Sequence, residues 1–268
     1  MIMMLLVLLF FVGGSNAALF FPTSQDYAYY HLEAGESAGY SGVSVTMDVY
    51  ALLLNKDQNS LAAVQISNGK DSIISMAWEV YPRLYGGDSR SHLSAMWTND
   101  GYRKTTCINT NCPLGFQPEA GAPLVLGDII DPISQSSGIR QSLTIKLIKD
   151  GASGDWLLHC GLNQRDPTLI GRFPKSLFTG GLTDRATTID VGGIAAGRTT
   201  ELPPMGSGYL PTNDTMATAT AASFSNIQIF HENGQLSLLP DNLPMYLSSG
   251  SYSASPVING KFFYGGPI

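Results

Sequence analysis

The sequence predicts an all-β protein with a single antiparallel β-sandwich over residues 18–268. Residues 43–49, 73–81 and 141–148 carry this prediction, because apolar side chains recur at every second position in each segment. A period of two is typical of a strand that buries one face. Turn signals separate these segments. Strands at such spacing favour a sandwich over a layout in which strands and helices alternate.

Length and composition set limits on the function. About 250 residues are enough for one all-β domain with a sizeable core, so no second domain is expected. Charged residues make up 13% of the chain and the net charge is −6. These values argue against a nucleic-acid partner, because no basic patch is available to meet phosphate groups. The hydrophobic fraction of 44% also argues against intrinsic disorder.

Residues 1–17, MIMMLLVLLFFVGGSNA, predict a secretory signal peptide. The run is apolar and ends in small residues, with Ser15 and Ala17 suitably placed for cleavage before Ala18. A membrane anchor is the alternative. However, the unbroken apolar part, residues 1–12, is shorter than the roughly 20 residues that a spanning helix needs. We therefore expect a secreted protein that is not held in a membrane after cleavage.

The first strands lead to a central strand within residues 73–81. Residues 43–49 form a clear strand, and residues 61–66 form a weaker one. Asn68-Gly69 is a hairpin signal that leads into the central strand. Alternate side chains there point to opposite faces. Ile74, Met76, Trp78 and Val80 form the apolar face, and Ser75, Ala77, Glu79 and Tyr81 form the other.

The second half of the chain continues the β pattern. Residues 141–148 place Leu143, Ile145 and Leu147 on one face, and a turn rich in Gly and Asp follows. The best helix candidate is residues 174–182, which begin with a proline suited to a first helical position and contain a glycine pair suited to a helix end. Its length allows one or two turns.

Cys107 and Cys112 favour a disulfide, because they are close in sequence and a secreted chain meets an oxidising environment. A zinc site is the alternative, but Cys160 is far along the chain and no histidine lies at ligand spacing to the pair. We expect neither a metal nor another cofactor. His159 precedes Cys160, yet neighbours in a strand point to opposite faces, so a nucleophile with its base is not favoured.

Asn213-Asp214-Thr215 is the only N-glycosylation sequon in the sequence. It lies after Pro211 and before a segment rich in Thr and Ala. This composition is typical of an exposed loop. We therefore predict that Asn213 carries an N-linked glycan.

A series of short motifs resembles the neprosin family of secreted plant proteins over roughly residues 27–267. In order, the motifs are Trp78 to Gly86, Trp97-Thr98-x-Asp100-x-Tyr102, the pair Cys107 and Cys112, Gly171-x-Phe173-Pro174, Leu177-Phe178, Gly192-Gly193, Met205-Gly206-Ser207-Gly208, Ser225-Asn226-Ile227-Gln228 and Phe263-Tyr264-Gly265-Gly266-Pro267. The resemblance implies an antiparallel β-sandwich and, in active members, a glutamic peptidase that cleaves near proline.

The resemblance also implies where the catalytic groups of active members would lie. Such a peptidase needs a carboxylate that activates water and a second polar group that stabilises the oxyanion. The family's two glutamates fall on Ser75, three residues before Trp78, and on Ile194, directly after the glycine pair. Serine cannot act as a general base near neutral pH, and the isoleucine side chain has no group that can accept or donate a proton. The resemblance therefore predicts that the family's mechanism is lost.

A relocated pair of carboxylates, Glu79 and Asp190, is the alternative. Each lies an even number of residues from a transferred position and so shares its strand face. Glu79 is displaced from Ser75 by four residues, or about 13 Å at the rise of a strand. If the pair is not catalytic, Glu79 is expected to be solvated and Asp190 to lie in a turn before the glycine pair.

Two functions follow from these alternatives. The first is a secreted, non-catalytic member of the family whose cleft binds a proline-rich peptide or cell-wall material. The second is an acid prolyl endopeptidase that uses Glu79 and Asp190. In both cases Tyr81, Trp97 and Tyr102 are the candidates for lining the cleft, because aromatic ring faces suit proline and carbohydrate ligands. Tryptophans in strands are also common in cores.

Overall fold

The computed structural model describes residues 24–135, 138–197, 202–211 and 220–268. These residues form two antiparallel sheets that pack face to face, which confirms the predicted sandwich. The predicted signal peptide, residues 1–17, and the sequon at Asn213 lie outside the described residues. Within the described ranges, no helix has the length and apolar character needed to cross a membrane.

Within the described residues, sheet A has seven strands. Their spatial order is β15 (Met245–Leu247), β1 (Ser24–Glu33), β11 (Thr188–Gly197), β3 (Gln58–Asn68), β4 (Ser72–Val80), β5 (His92–Thr98) and β6 (Cys107–Ile108). The order departs from the chain order, because β11 lies between β1 and β3. Sheet A therefore brings together residues that are far apart in the sequence.

Sheet B has ten strands in the part of the chain that the structure describes. Along its main path they are β12 (Met205–Gly206), β17 (Phe262–Gly266), β13 (Ala222–His231), β2 (Tyr40–Asp48), β8 (Ser142–Lys149), β9 (Trp156–Leu162), β10 (Thr168–Phe173) and β7 (Gln117–Pro118). Two short strands lie off this path: β14 (Leu236–Leu238) pairs with β13, and β16 (Ser253–Ala254) pairs with β17.

The predicted strands agree with the observed ones because each has one face in the core between the sheets. Residues 43–49, 73–81 and 141–148 correspond closely to β2, β4 and β8. The hairpin predicted at Asn68-Gly69 joins β3 to β4, with Gly69 in the left-handed region at φ +67°. The helical turns predicted within residues 174–182 are two short 3₁₀ helices, Lys175–Leu177 and Gly181–Thr183.

The core between the sheets explains several of the sequence motifs. Trp78 of β4 is fully buried there. The indole N–H of Trp156 donates a hydrogen bond of 2.8 Å to the carbonyl of Leu182, so its polar atom is satisfied. A Cβ on Gly193 would lie 2.7 Å from the ring of Tyr264, so this glycine lets β11 and β17 approach closely.

The cysteines have the predicted arrangement. Cys107 and Cys112 form a disulfide that closes a loop at the end of β6. Cys160 is a free thiol buried in the core, and burial raises the pKa of this thiol. His159 lies on the opposite face of β9 and is half-buried. Among the described residues, no group of three or more His, Cys, Asp or Glu side chains is arranged to hold a metal ion.

Candidate functional site

Three neighbouring rows of side chains on the outward face of sheet A form the candidate site. The pairing register aligns one residue each from β1, β11, β3, β4 and β5 in every row. The polar row is His31, Asp190, Gln65, Ser75 and Met96; the small row is Tyr29, Gly192, Ala63, Ala77 and Ser94; the Glu79 row is Tyr27, Ile194, Leu61, Glu79 and His92. Neighbouring rows are about 7 Å apart, because they differ by two residues along each strand.

The small row forms the floor of a shallow furrow that crosses the strands. Gly192, Ala63 and Ala77 carry little or no side chain, whereas longer side chains flank them on both sides. A Cβ on Gly192 would lie 2.3 Å from the Cβ of Tyr29, so the glycine lets the Tyr29 side chain cross the furrow. Two cavities open along the furrow, and Ser75 borders both.

The first cavity, the Asp190 cavity, is lined by Tyr29, Ala63, Gln65, Ser75, Asp190, Gly192 and Ile194. It therefore includes both positions onto which the resemblance places the family's glutamates, Ser75 and Ile194. The space open to the centre of a water molecule is about 10 Å³, which is room for roughly one water. The two transferred positions thus meet at one point of the fold, and neither holds a carboxylate.

Asp190 is held by two neighbours in the polar row. His31 Nδ1 lies 2.6 Å from Asp190 Oδ1, and Gln65 Nε2 donates to Oδ2 at 3.2 Å. The hydrogen bond to Asp190 raises the pKa of His31. Burial raises the pKa of Asp190, and the hydrogen bond from His31 opposes this shift. The alternative in which Asp190 lies in a turn is wrong, because the residue is buried within β11.

The second cavity, the Glu79 cavity, is lined by Leu61, Ser75, Ala77, Glu79, Leu84, Ser94, Met96 and Ile108. It leaves about 20 Å³ for the centre of a water molecule. The Tyr85 hydroxyl donates to Glu79 Oε1 at 2.8 Å, and the Asn109 amide donates to that hydroxyl at 3.3 Å. Burial raises the pKa of Glu79, while hydrogen bonds from Ser94 and Tyr85 oppose the shift. The expectation of a solvated Glu79 is wrong, since the residue is only 3% exposed.

His92 completes the surroundings of Glu79. It pairs with Glu79 across the strands, and its ring stacks on Tyr85 with centroids 3.7 Å apart. His92 Nδ1 lies 2.8 Å from the Gly127 carbonyl, so this nitrogen carries the proton. His92 Nε2 is buried without a hydrogen-bond partner in the part of the chain that the structure describes, and it lies 3.7 Å from Asp88.

Glu79 and Asp190 share a face but do not come together. β3 lies between their strands, and Glu79 is opposite Leu61 whereas Asp190 is opposite Gln65. Two strand spacings of about 5 Å and an offset of about 13 Å along the strands separate the two Cα atoms by roughly 16 Å. Each carboxylate also has its own hydrogen-bond partners. At this distance the two groups cannot share a proton.

The neprosin family model matches residues 56–267. The chain belongs to the neprosin family. A comparison with solved structures gives the crystal structure of scytalido-glutamic peptidase with a transition-state analogue inhibitor, at 12% sequence identity and a TM-score of 0.49. That match covers 91% of this chain and 99% of the other. No curated protein matches the sequence.

The aromatic residues predicted to line the cleft of this neprosin-family chain lie elsewhere. Trp97 belongs to the core between the sheets, so its assignment to the cleft is wrong. Tyr81 follows β4, is buried, and lines neither cavity. Tyr102 packs into the small apolar cluster on the outward face of sheet A, together with Met96, but it is buried and lines neither cavity.

Three other tyrosines lie at the β1 end of the furrow. The rings of Tyr29 and Tyr246 stack with centroids 5.2 Å apart, and Tyr27 meets Tyr29 edge to face at 5.4 Å. We call these three residues the tyrosine ladder. Tyr27, Tyr29 and His31 alternate in the sequence, so a period of two could have identified them as one face. Tyr246 could not be found this way, because the pairing of β15 with β1 joins distant segments.

Proposed function

We propose that this neprosin-family protein is secreted and binds an extended, proline-rich peptide in the furrow of sheet A without cutting it. The observation that carries the proposal is the composition of the Asp190 cavity. Ser75 and Ile194, the positions to which the resemblance assigns the family's glutamates, line it together, and neither can activate a water molecule.

The dimensions of the furrow support a binding role for one extended chain. The two rows that flank the small row are about 13 Å apart, which leaves width for a single peptide backbone. Each cavity has room for roughly one water, so only the end of a ligand side chain can enter. The backbone of the ligand would therefore lie over Ala63 and Ala77, with side chains reaching into the cavities.

The tyrosine ladder supports a preference for proline. Proline rings pack well against aromatic ring faces, and a proline-rich chain is already extended before it binds, so little conformational entropy is lost. Tyr246 is more than a third exposed and presents its ring beside the furrow. Cell-wall carbohydrate can also contact ring faces, and we include it in the experiment below as a competing ligand.

Secretion is supported by two features of the chain. Residues 1–17 have the composition of a signal peptide. The disulfide between Cys107 and Cys112 forms in oxidising compartments such as the secretory pathway.

The alternative, an acid prolyl endopeptidase based on Glu79 and Asp190, has less support. Both oxygens of Asp190 accept hydrogen bonds, from His31 and from Gln65. A separation of roughly 16 Å between the Cα atoms also leaves no point at which both carboxylates could act on one peptide bond.

The experiment measures binding and cleavage together. The secreted, mature protein is titrated with a proline-rich peptide and with a cell-wall polysaccharide from acidic to neutral pH, and the ligand is then analysed by mass spectrometry. We expect the peptide to bind and to remain intact. Ala77→Phe, which fills the furrow, should abolish binding, whereas Thr144→Phe on the outward face of sheet B should not. Cleavage that disappears in Glu79→Gln or Asp190→Asn would establish the peptidase instead.

A further inference from the structure

We propose that the Glu79 cavity is a subsite for the ammonium group of a lysine side chain in the bound peptide. This inference rests on the proposed function, because it states which side chain the peptide places in the furrow. It concerns a carboxylate outside the positions at which the family resemblance places its glutamates.

The walls of the cavity suit the end of a lysine side chain. Leu61, Ala77, Leu84, Met96 and Ile108 are apolar, and the polar lining consists of Glu79, Ser75 and Ser94. The end of a lysine side chain has the same division, because its last methylene group prefers apolar surroundings and its ammonium group is charged. The rest of the stem would lie in the furrow. Ala77 belongs both to the floor of the furrow and to the lining of this cavity, so a side chain can enter from a backbone that crosses Ala77.

The polar lining matches the hydrogen-bonding needs of an ammonium group. An ammonium has three N–H donors and no acceptor. The carboxylate of Glu79 and the hydroxyls of Ser75 and Ser94 provide three acceptors around one small space. The Tyr85 hydroxyl already donates to Oε1, but a carboxylate accepts about four hydrogen bonds, so acceptor capacity remains.

Charge favours a ligand cation in the Glu79 cavity over one in the Asp190 cavity. The buried Asp190 has His31 against it at 2.6 Å. Glu79 is equally buried, and the groups that act on its carboxylate are Ser94, Tyr85 and the charge of His92 when that ring is protonated. A buried carboxylate that lacks a close cation is costly, so a ligand cation at this point gains strong electrostatic stabilisation. The net charge of −6 also attracts a basic ligand.

Size distinguishes lysine from arginine. The cavity holds about one water, and an ammonium group is close to a water molecule in size. The guanidinium group is a planar fork with three nitrogens and needs more room. Lysine is therefore the expected basic residue at this subsite.

The experiment compares three proline-rich peptides that differ at one position, which is lysine, norleucine or arginine. Affinities for the mature protein are measured at neutral pH by titration calorimetry. We expect the lysine peptide to bind at least about tenfold more tightly than the norleucine peptide, as one charge-assisted hydrogen bond would produce. The arginine peptide should resemble the norleucine peptide.

Two variants separate a local effect from a change in net charge. Glu79→Gln should reduce the affinity for the lysine peptide to that for the norleucine peptide. Glu232→Gln removes the same charge from an exposed position and should leave the preference unchanged. Equal affinities for the lysine and norleucine peptides, or a preference that survives Glu79→Gln, would overturn the subsite.

A second probe keeps the subsite testable without the peptide. Butylammonium is titrated while thermal unfolding is followed, with the wild type and Glu79→Gln in parallel. Stabilisation of the wild type alone supports the subsite, and equal behaviour of the two proteins refutes it. If no peptide binds but butylammonium stabilises only the wild type, the proposed furrow function fails while the cation site stands.

Discussion

Replacing His31 by alanine tests whether the contact between His31 and Asp190 stabilises the outward face of sheet A. The two side chains are 17% and 5% exposed, and the contact is 2.6 Å long. Charges about 4 Å apart attract by roughly 4 kcal/mol at an effective dielectric constant near 20, and desolvation offsets part of this. Hydrogen bonds to charged groups contribute about 1.5–3 kcal/mol. Since His31 is partly exposed, we expect a net contribution of about 2 kcal/mol.

The sign of the pH dependence follows from the raised pKa of His31. Its ordinary value is 6.5, so in the unfolded chain it loses its proton at lower pH than in the folded protein. The stabilisation is fully present below about pH 6.5 and is lost as the pH rises through the folded pKa. The destabilisation of His31→Ala should therefore be largest in mildly acidic buffer and smaller in alkaline buffer.

Urea unfolding of the wild type, His31→Ala, Asp190→Asn and the double variant gives the coupling energy of the pair. We expect about 2 kcal/mol at mildly acidic pH. As a control, His231→Ala loses a hydrogen bond to the neutral hydroxyl of Ser237 and should cost only about 1 kcal/mol. Single effects of His31→Ala and Asp190→Asn that add within about 0.5 kcal/mol, or a coupling that does not fall with rising pH, would refute the reasoning.

Three further predictions concern other parts of the molecule. Because burial raises the pKa of Glu79, the wild type loses stability as the pH rises above about 4.5. Urea unfolding should therefore show that Glu79→Gln is more stable than the wild type at neutral pH and equally stable below about pH 4.5. Replacing Cys107 and Cys112 by serine should lower the free energy of unfolding by about 2 kcal/mol, as loop closure over so few residues implies, and a reductant should have the same effect on the wild type. Ser75→Glu with Ile194→Glu should restore cleavage near proline, detected by mass spectrometry, while each single variant stays inactive; a folded but inactive double variant would contradict the transfer of the family positions.

Local alternation was enough to predict β2, β4 and β8, because it reports which residues face the core. Residues 73–81 correspond almost fully to β4 for this reason. Alternation also placed Glu79 on the outward face correctly. It could not show that Glu79 is buried, since the covering residues Leu84 and Ile108 lie outside β4 and reach the cavity only in the folded chain.

The three rows on the outward face of sheet A could not be predicted from the sequence either, because they too depend on contacts between distant segments. His31, Asp190 and Gln65 become neighbours only because β11 inserts between β1 and β3. No local pattern reports that insertion. The wrong assignment of Trp97 to the cleft had a different cause. It was based on the aromatic residue type and not on the position of Trp97 in its strand. Leu93 and Ala95 alternate with Trp97 and also lie in the core, so the period of two placed Trp97 inward.

The separation of faces in a strand explains why family motifs can persist while outward residues of the same strands change. Trp78 and Gly193 are motif residues that face inward, where any change disturbs the packing of sheet A on sheet B. Ser75 and Ile194 face outward and contact the furrow. Ile194 packs with Leu61 in an apolar cluster, a position where a carboxylate would carry a desolvation cost of several kcal/mol. An uncharged residue at such a position avoids that cost and leaves the inner core unchanged. Motifs of this kind are therefore evidence for the fold, and activity has to be judged from the outward residues.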